Sequence, residues 1–292
     1  CFIGDDDIVL EESLEIIAWL SKHGIDAAIC PVAEYYWPGQ KSSSIDSNVT
    51  GNFFLNKHYT SKAWAIDAEG ERKKVLDWGG VRMHNLPRVY QGIVSKKALD
   101  KVKDLFGSYF PGPSPDMANA FALSYVVQNM RWIDYPFIIS GTSSKSVAGK
   151  GVIRAHVGKL KDQAHLPEGV LNHWNSKIPT YWTGPTIYAQ SISEVQRQSK
   201  VSSKKKEALN FEFLNAWLLV FFPSHKNVLF SGRTAKTGGA KIRFYKLQIF
   251  LIRSIHFVQR FYIGKKQRFD KVDHIGEAIE KIHTEVAFRA LE

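Results

Sequence analysis

Cysteine is nearly absent from this sequence. Of 292 residues only Cys1 and Cys30 are cysteines, which excludes a disulfide framework and any zinc site built on paired thiolates. That scarcity points to a reducing, cytoplasmic setting. Long apolar runs are missing too: the longest uncharged one, FLNAWLLVFF from Phe213 to Phe222, is too short to span a bilayer. The N-terminus has neither the basic region nor the apolar core of a signal peptide, and no internal repeat is found.

Acidic charge is in the minority. Lys and Arg number 39 against 28 Asp and Glu, for a net charge of +11. Such a balance predicts an anionic partner, whether nucleic acid, a phosphate-bearing substrate or an acidic membrane surface. The apolar fraction of 44% is ample for a buried core and excludes disorder as the organising principle.

Strands and helices alternate along the first two thirds. CFIG reads as the end of a strand, so the chain is expected to be a fragment that begins within a larger domain. Leu14, Ile16, Ile17, Trp19 and Leu20 recur at helical spacing from about Glu11 to Lys22, with Gly24 placed as a C-terminal cap. DAAICPVAEYYW reads as one buried strand, NFFLNKHYTSKAWAIDAEG as short strands joined by turns, and RWIDYPFIIS as another strand. A strand ending near Val94 leads to a helix capped by Ser95 and stopped at Gly107. A Pro/Gly/Ser loop then delivers Asp116 to a helix expected from about Met117 to Met130. From Lys200 the composition shifts to SSKKKE and then to a stretch mixing bulky apolar residues with cations. There Lys246, Arg253 and Arg260 fall seven apart on one helix face, with Arg243 nearby.

Three places carry candidate chemistry. Asp5, Asp6 and Asp7 are consecutive, and three adjacent carboxylates need compensation from water, N–H groups or a cation. Two readings are open: an acidic cap on the following helix, or a site for Mg2+ or Mn2+ bridging to substrate phosphate. Asp116 is likewise an N-cap or a general base, since a carboxylate at a helix N-terminus stays ionised and can accept a hydroxyl proton. The loop SGTSSKSVAGKG, with Ser143, Ser144, Lys145 and Lys150, is a mobile connection or a diphosphate cradle. His156 beyond it has no partner at ligand spacing and reads as structural. The basic, apolar C-terminal stretch is a packed helix with a solvated basic face, a helix lying on an anionic membrane, or, least favoured, a nucleic-acid patch.

Taken in order, FIGDDD, RVYQGIVSKKALDKVKDLFGSYFPGPSPDMANAFALS and YPFIISGTSSKSVAGKG resemble a family 2-type glycosyltransferase of the GT-A class, over Phe2 to about Ser191. The resemblance implies the C-terminal part of an α/β GT-A domain at residues 1–198, followed by a basic, mainly helical region at 199–292. By the same resemblance, Asp5 and Asp7 would hold Mg2+ or Mn2+ on the diphosphate of a nucleotide-sugar donor. Asp6, Ser143, Ser144 and Lys145 would contact that donor. Tyr90, Gln91 and Gly92 would contact a hydroxyl-bearing glycan or lipid-linked acceptor, and Asp116 would deprotonate it for inverting transfer in polysaccharide or glycan synthesis. Gln91 stands where related proteins often carry His before the Gly. The family's nucleotide-binding βαβ units, roughly 60 residues or more, would precede Cys1. Two alternatives from the residues themselves are a noncatalytic basic module on an anionic membrane or nucleic acid, and a metal-dependent phosphoryl-transfer or hydrolytic site. The location expected is cytoplasmic, with peripheral contact at the membrane.

Overall fold

The computed structural model describes residues 1–39, 50–146, 157–163, 166–167, 169–200, 207–231, 239–258, 264 and 266–291. Nine strands run in the order β1 (Ile8–Val9), β2 (Ala27–Ile29), β3 (Ala33–Tyr36), β4 (Asn52–Asn56), β5 (Ala63–Ile66), β6 (Gly92–Val94), β7 (Met130–Ile133), β8 (Ile138–Thr142) and β9 (Lys266–Phe269) among the described residues. The helices are α1 (Ser13–Lys22), α2 (Ala68–Asp77), α3 (Lys96–Phe106), α4 (Pro115–Leu123), α5 (Gly184–Gln198), α6 (Phe211–Phe221), α7 (Lys226–Leu229), α8 (Ala240–Val258) and α9 (Ile275–Glu285). The strands form a five-stranded sheet, β1-β8-β3-β4-β9, and a four-stranded sheet, β5-β7-β2-β6. Both sheets are mixed: β3–β8 and β2–β7 are parallel and the other pairs antiparallel. The chain is therefore an α/β protein.

Two segments expected as single strands each divide between the sheets. Ala27–Ile29 pairs in parallel with Met130–Trp132 in the smaller sheet. A few residues on, Ala33–Tyr36 pairs in parallel with Ile139–Thr142 in the larger one. The breaks contain Pro31 and Pro136, and a proline cannot donate to a sheet ladder. Both partners leave one sheet and enter the next side by side. Their shared step separates two cores. Ala27 and Ile29 face the first, with Val75, Val102, Phe121 and Leu214. Ala28 faces the second, with Ile16, Leu20, Phe53 and Ile282.

Helix boundaries follow local chemistry. At the end of α1 the Ile25 N–H donates to Leu20 O at 2.9 Å and the Gly24 N–H to Ser21 O at 3.2 Å, a Schellman closure that places Gly24 at φ +61°. Ile16 and Leu20 are the buried residues of this helix, while Leu14 and Ile17 face outward. Ser95 caps α3 by accepting from Ala98 N at 3.2 Å, and Gly107 ends it at φ +80°. The helix expected to reach Met130 stops at Leu123. There Arg72 donates to the Ser124 carbonyl at 2.8 Å, and Asp26 captures the Gln128 and Asn129 N–H groups at 3.0 and 3.1 Å. Those contacts draw the chain into β7 beside β2. Helix α2 falls within and beyond a segment read as strands and turns. Asp67 starts it by accepting from Glu69 N at 3.0 Å, with Glu69 and Glu71 in its first turn, where the dipole favours them.

Residues beyond 199 are woven into both cores. Phe213, Leu214, Leu218, Ile242 and Ile249 join the first core, whereas β9 pairs with β4 and Ala278 and Ile282 join the second. The Tyr35 hydroxyl donates to Val272 O at 3.0 Å, bridging positions 237 apart in sequence. Among the described residues no helix is long and apolar enough to cross a membrane. Ile282 is fully buried, so Ile282→Ala is expected to lower unfolding stability by about 2–4 kcal/mol. Urea denaturation checks this, and an unchanged midpoint would show that α9 is not part of the core.

Candidate active site around the acidic turn

The acidic turn is built by its own carboxylates. The Gly4 N–H donates to Asp7 Oδ2 at 2.9 Å and the Asp7 N–H returns to Gly4 O at 3.3 Å. The residues before it lie beside the 89–91 segment: Phe2 N–H donates to Val89 O at 2.7 Å and Gln91 N–H to Phe2 O at 3.1 Å. On its other side the turn grips the end of β8. Asp7 Oδ1 accepts from Gly141 N at 2.8 Å and Asp6 Oδ2 from Ser143 N at 3.1 Å. Trp37 Nε1 donates to Asp6 O at 3.1 Å. A Cβ at Gly141 would lie 1.6 Å from that carbonyl oxygen, so the approach requires glycine.

This geometry corrects the capping readings. Helix α1 starts at Ser13 with Glu12 before it and no side-chain cap; Asp6 and Asp7 serve N–H groups of Gly4, Gly141 and Ser143 instead. Asp6 and Asp7 are buried at 8% and 7% exposure, whereas Asp5 is exposed and its carboxylate has no partner among the described residues. At the other acid, Ser114 occupies the N-cap and Asp116 lies inside the first turn of α4. The Asp116 carboxylate accepts from the Ser114 hydroxyl and, at 3.1 Å, from the Tyr188 hydroxyl.

Tyr90 links the two acidic places. Burial, then the charge of Asp7, hydrogen bonding to Asp7, and the charges of Asp6 and Asp116 push its phenol far above the ordinary range. Tyr188 is raised likewise, by burial first and then by the charge of Asp116 and its hydrogen bond, and Tyr90 adds to the shift. Both phenols are therefore neutral donors at physiological pH. Gln91 holds φ +58°, a conformation uncommon for a non-glycine residue, and its amide donates to the Ser140 hydroxyl on β8. Gly92 sits inside β6, where a Cβ would lie 2.4 Å from Arg88 O; its role is in the sheet. Ser143 offers its N–H to Asp6, and Ser144 and Lys145 are exposed in the turn beyond. Lys150 and His156 lie outside the described residues, as does Arg260.

Sequence reasoning missed Tyr188, Trp37, Ser140 and Ser114. They come from α5, the residue after β3, β8 and the loop before α4, and no local pattern marks a tyrosine 72 positions away as the partner of Asp116. For a divalent cation, no group of three His, Cys, Asp or Glu gathers among the described residues. The carboxylate of Asp5 is free among the described residues and Asp7 keeps lone pairs beyond the two N–H groups it accepts, so these two residues are the ones that would hold a cation. Mg2+ or Mn2+ fits such a pair when substrate phosphate and water complete the shell. No protein-family model, curated protein or solved structure matches the chain.

The contrast between neighbouring aspartates is testable. In Asp7→Asn an amide N–H2 would face a backbone N–H in place of a charged acceptor, and stability is expected to fall by about 1–3 kcal/mol. Asp5→Asn touches nothing and is expected to stay within about 0.5 kcal/mol of the parent. Urea unfolding of both variants measures the difference.

Proposed function

We propose that this chain carries the metal and acceptor side of a GT-A-like glycosyltransferase. It would move a sugar from a nucleotide-sugar donor to a hydroxyl acceptor with inversion, in polysaccharide or glycan synthesis. What supports this reading is that the Tyr90 hydroxyl, Asp6 Oδ1 and Asp7 Oδ2 all lie within 3.4 Å of the point where a Cβ on Gly4 would sit, and that the charge of Asp116, held by Tyr188, raises the same Tyr90 phenol, so an acidic turn suited to a cation and a separate hydrogen-bonded carboxylate border one place. One site needs both: a cation facing the leaving diphosphate and a base facing the incoming hydroxyl.

In this reading Asp5 and Asp7 hold Mg2+ or Mn2+, which neutralises charge on the departing nucleoside diphosphate. Asp6 keeps the β8 end in position through Ser143, leaving Ser144 and Lys145 exposed toward the donor phosphates. Asp116 takes the acceptor's hydroxyl proton while that oxygen bonds to the anomeric carbon. The bond to the diphosphate breaks on the opposite face, and its electron pair leaves with the diphosphate. The Ser114 and Tyr188 donors orient the Asp116 carboxylate, and Tyr90 and Gln91 border the acceptor.

Mn2+ binding followed by electron paramagnetic resonance, with and without UDP or GDP, tests the metal half on this chain. The nucleotide is expected to tighten Mn2+ binding, and Asp5→Asn to weaken it by at least about tenfold, the worth of one charged ligand contact; equal binding in the variant overturns the assignment. Asp116→Asn is expected to spare Mn2+–nucleotide binding while lowering sugar transfer by about 10²–10⁴-fold. Product analysis against a panel of nucleotide sugars measures the second effect, and undiminished transfer removes Asp116 as the base.

A further inference from the structure

Helix α8 has two apolar faces, and among the described residues only one is covered. Ile242 and Ile249 are buried in the first core, with Tyr245 packed beside them. On the opposite side Phe244, Leu247, Leu251, Ile255 and Val258 follow one another at intervals of three or four residues. They are 64, 60, 57, 55 and 47% exposed. Single exposed leucines are ordinary, but a continuous apolar stripe over four helical turns marks a surface built to be covered.

The charge around the stripe says by what. From Phe213 to Phe269 the sequence has no Asp or Glu and eleven Lys and Arg; outside that stretch the remaining 28 cations are matched by 28 acidic residues. The whole excess of +11 therefore belongs to the part of the chain that carries α8. Lys241, Arg243, Lys246 and Arg253 belong to the helix itself. On its covered side, against α6, runs a groove of about 330 Å³, lined by Arg82, Trp217, Phe221, Ile249, Arg253 and His256, among others. The Arg82 guanidinium lies 5.2 Å from the Trp217 ring centre and that of Arg253 4.8 Å from Phe221. Neither arginine has a carboxylate partner among the described residues. These two arginines face away from the stripe; the cations that flank it on either side are Lys241 and Arg243, both exposed.

We propose that α8 lies in the plane of an anionic membrane surface, its apolar stripe against the acyl boundary and the flanking Lys241 and Arg243 receiving lipid phosphates. An apolar layer beside a cationic one on the same helix matches the layering of a leaflet. A second copy on this face would bring the acid-free stretch against itself, and like charge opposes that pairing. Nucleic acid would use the cations and leave the apolar stripe in water. This inference is independent of the glycosyltransferase reading.

The test is flotation of the 292-residue chain with phosphatidylcholine vesicles, with and without phosphatidylglycerol. Binding is expected only to the anionic vesicles, to weaken with salt, and to resist inorganic phosphate. Leu247→Gln with Leu251→Gln, both at exposed sites, is expected to lower partitioning at least about tenfold with unchanged circular dichroism and melting. Arg243→Gln is expected to lower it about fivefold, the worth of one cation near such a surface. Several results would overturn the proposal: equal binding to neutral vesicles, displacement by free phosphate, or no vesicle binding at all. The last would count for another occupant if accompanied by self-association or nucleic-acid binding that the double leucine variant abolishes.

Discussion

The approach of the Asp6 carbonyl to Gly141 is the constraint on which the rest of the site depends. Space for that oxygen exists only because position 141 has no side chain. Once it is there, Asp7 and Asp6 can take the Gly141 and Ser143 N–H groups, and Trp37 can reach the same carbonyl. One tripeptide thereby ties β1, the end of β3 and the end of β8 together. Three backbone N–H donors offset the mutual repulsion of Asp6 and Asp7. Asp5, outside this network, keeps an unspent charge. The cluster thus has an internal division of labour: Asp6 and Asp7 both hold the turn to β8, Asp7 with lone pairs to spare, and Asp5 stays in solvent.

Much of the fold was legible from residues that act locally. Gly24, Ser95 and Gly107 mark their boundaries because a positive φ or a side-chain cap acts within a turn or two. Contacts made by distant residues were not legible. Nothing near Leu123 announces that Arg72 and Asp26 will end its helix, and nothing within DAAICPVAEYYW says that its halves serve different sheets, although Pro31 marks the break. Asp67 followed by a charged run was a readable helix start. It was overshadowed by the apolar alternation before it. At the site, the acidic residues stood out by type and clustering. Their partners Ser140, Tyr188 and Trp37 did not, being ordinary residues whose roles arise only from sheet order and helix packing.

The two ends of the molecule divide their electrostatics sharply. The segment before α6 carries 25 Lys and Arg against 21 Asp and Glu and concentrates acid at one turn, whereas the stretch from Phe213 to Phe269 carries cations alone. These opposite characters coexist in one body because the contacts holding the basic stretch are apolar: Ile249 and Phe213 in the first core, Phe269 beside Phe53 in the larger sheet. Burial fixes the position of the basic surface while leaving its cations outward: Lys266 and Arg268 pair with Glu34 and Asp270, and the cations of α8 have no carboxylate partner among the described residues.

The pairing of β4 with β9 also has a meaning in time. β4 has its inner neighbour, β3, almost at once, but its outer one arrives much later in the sequence; the Tyr35–Val272 bond spans 237 positions. At about 5–20 residues per second of synthesis, that distance is roughly 10–50 s. Throughout it the outer row of N–H and C=O groups on β4 is open, beside the apolar Phe53 and Leu55, and such an edge recruits any strand that reaches it. The newborn chain therefore passes through an interval when the half of the molecule that bears the acidic turn is assembled but unsealed. The strand that closes it emerges only after all the residues between have been made.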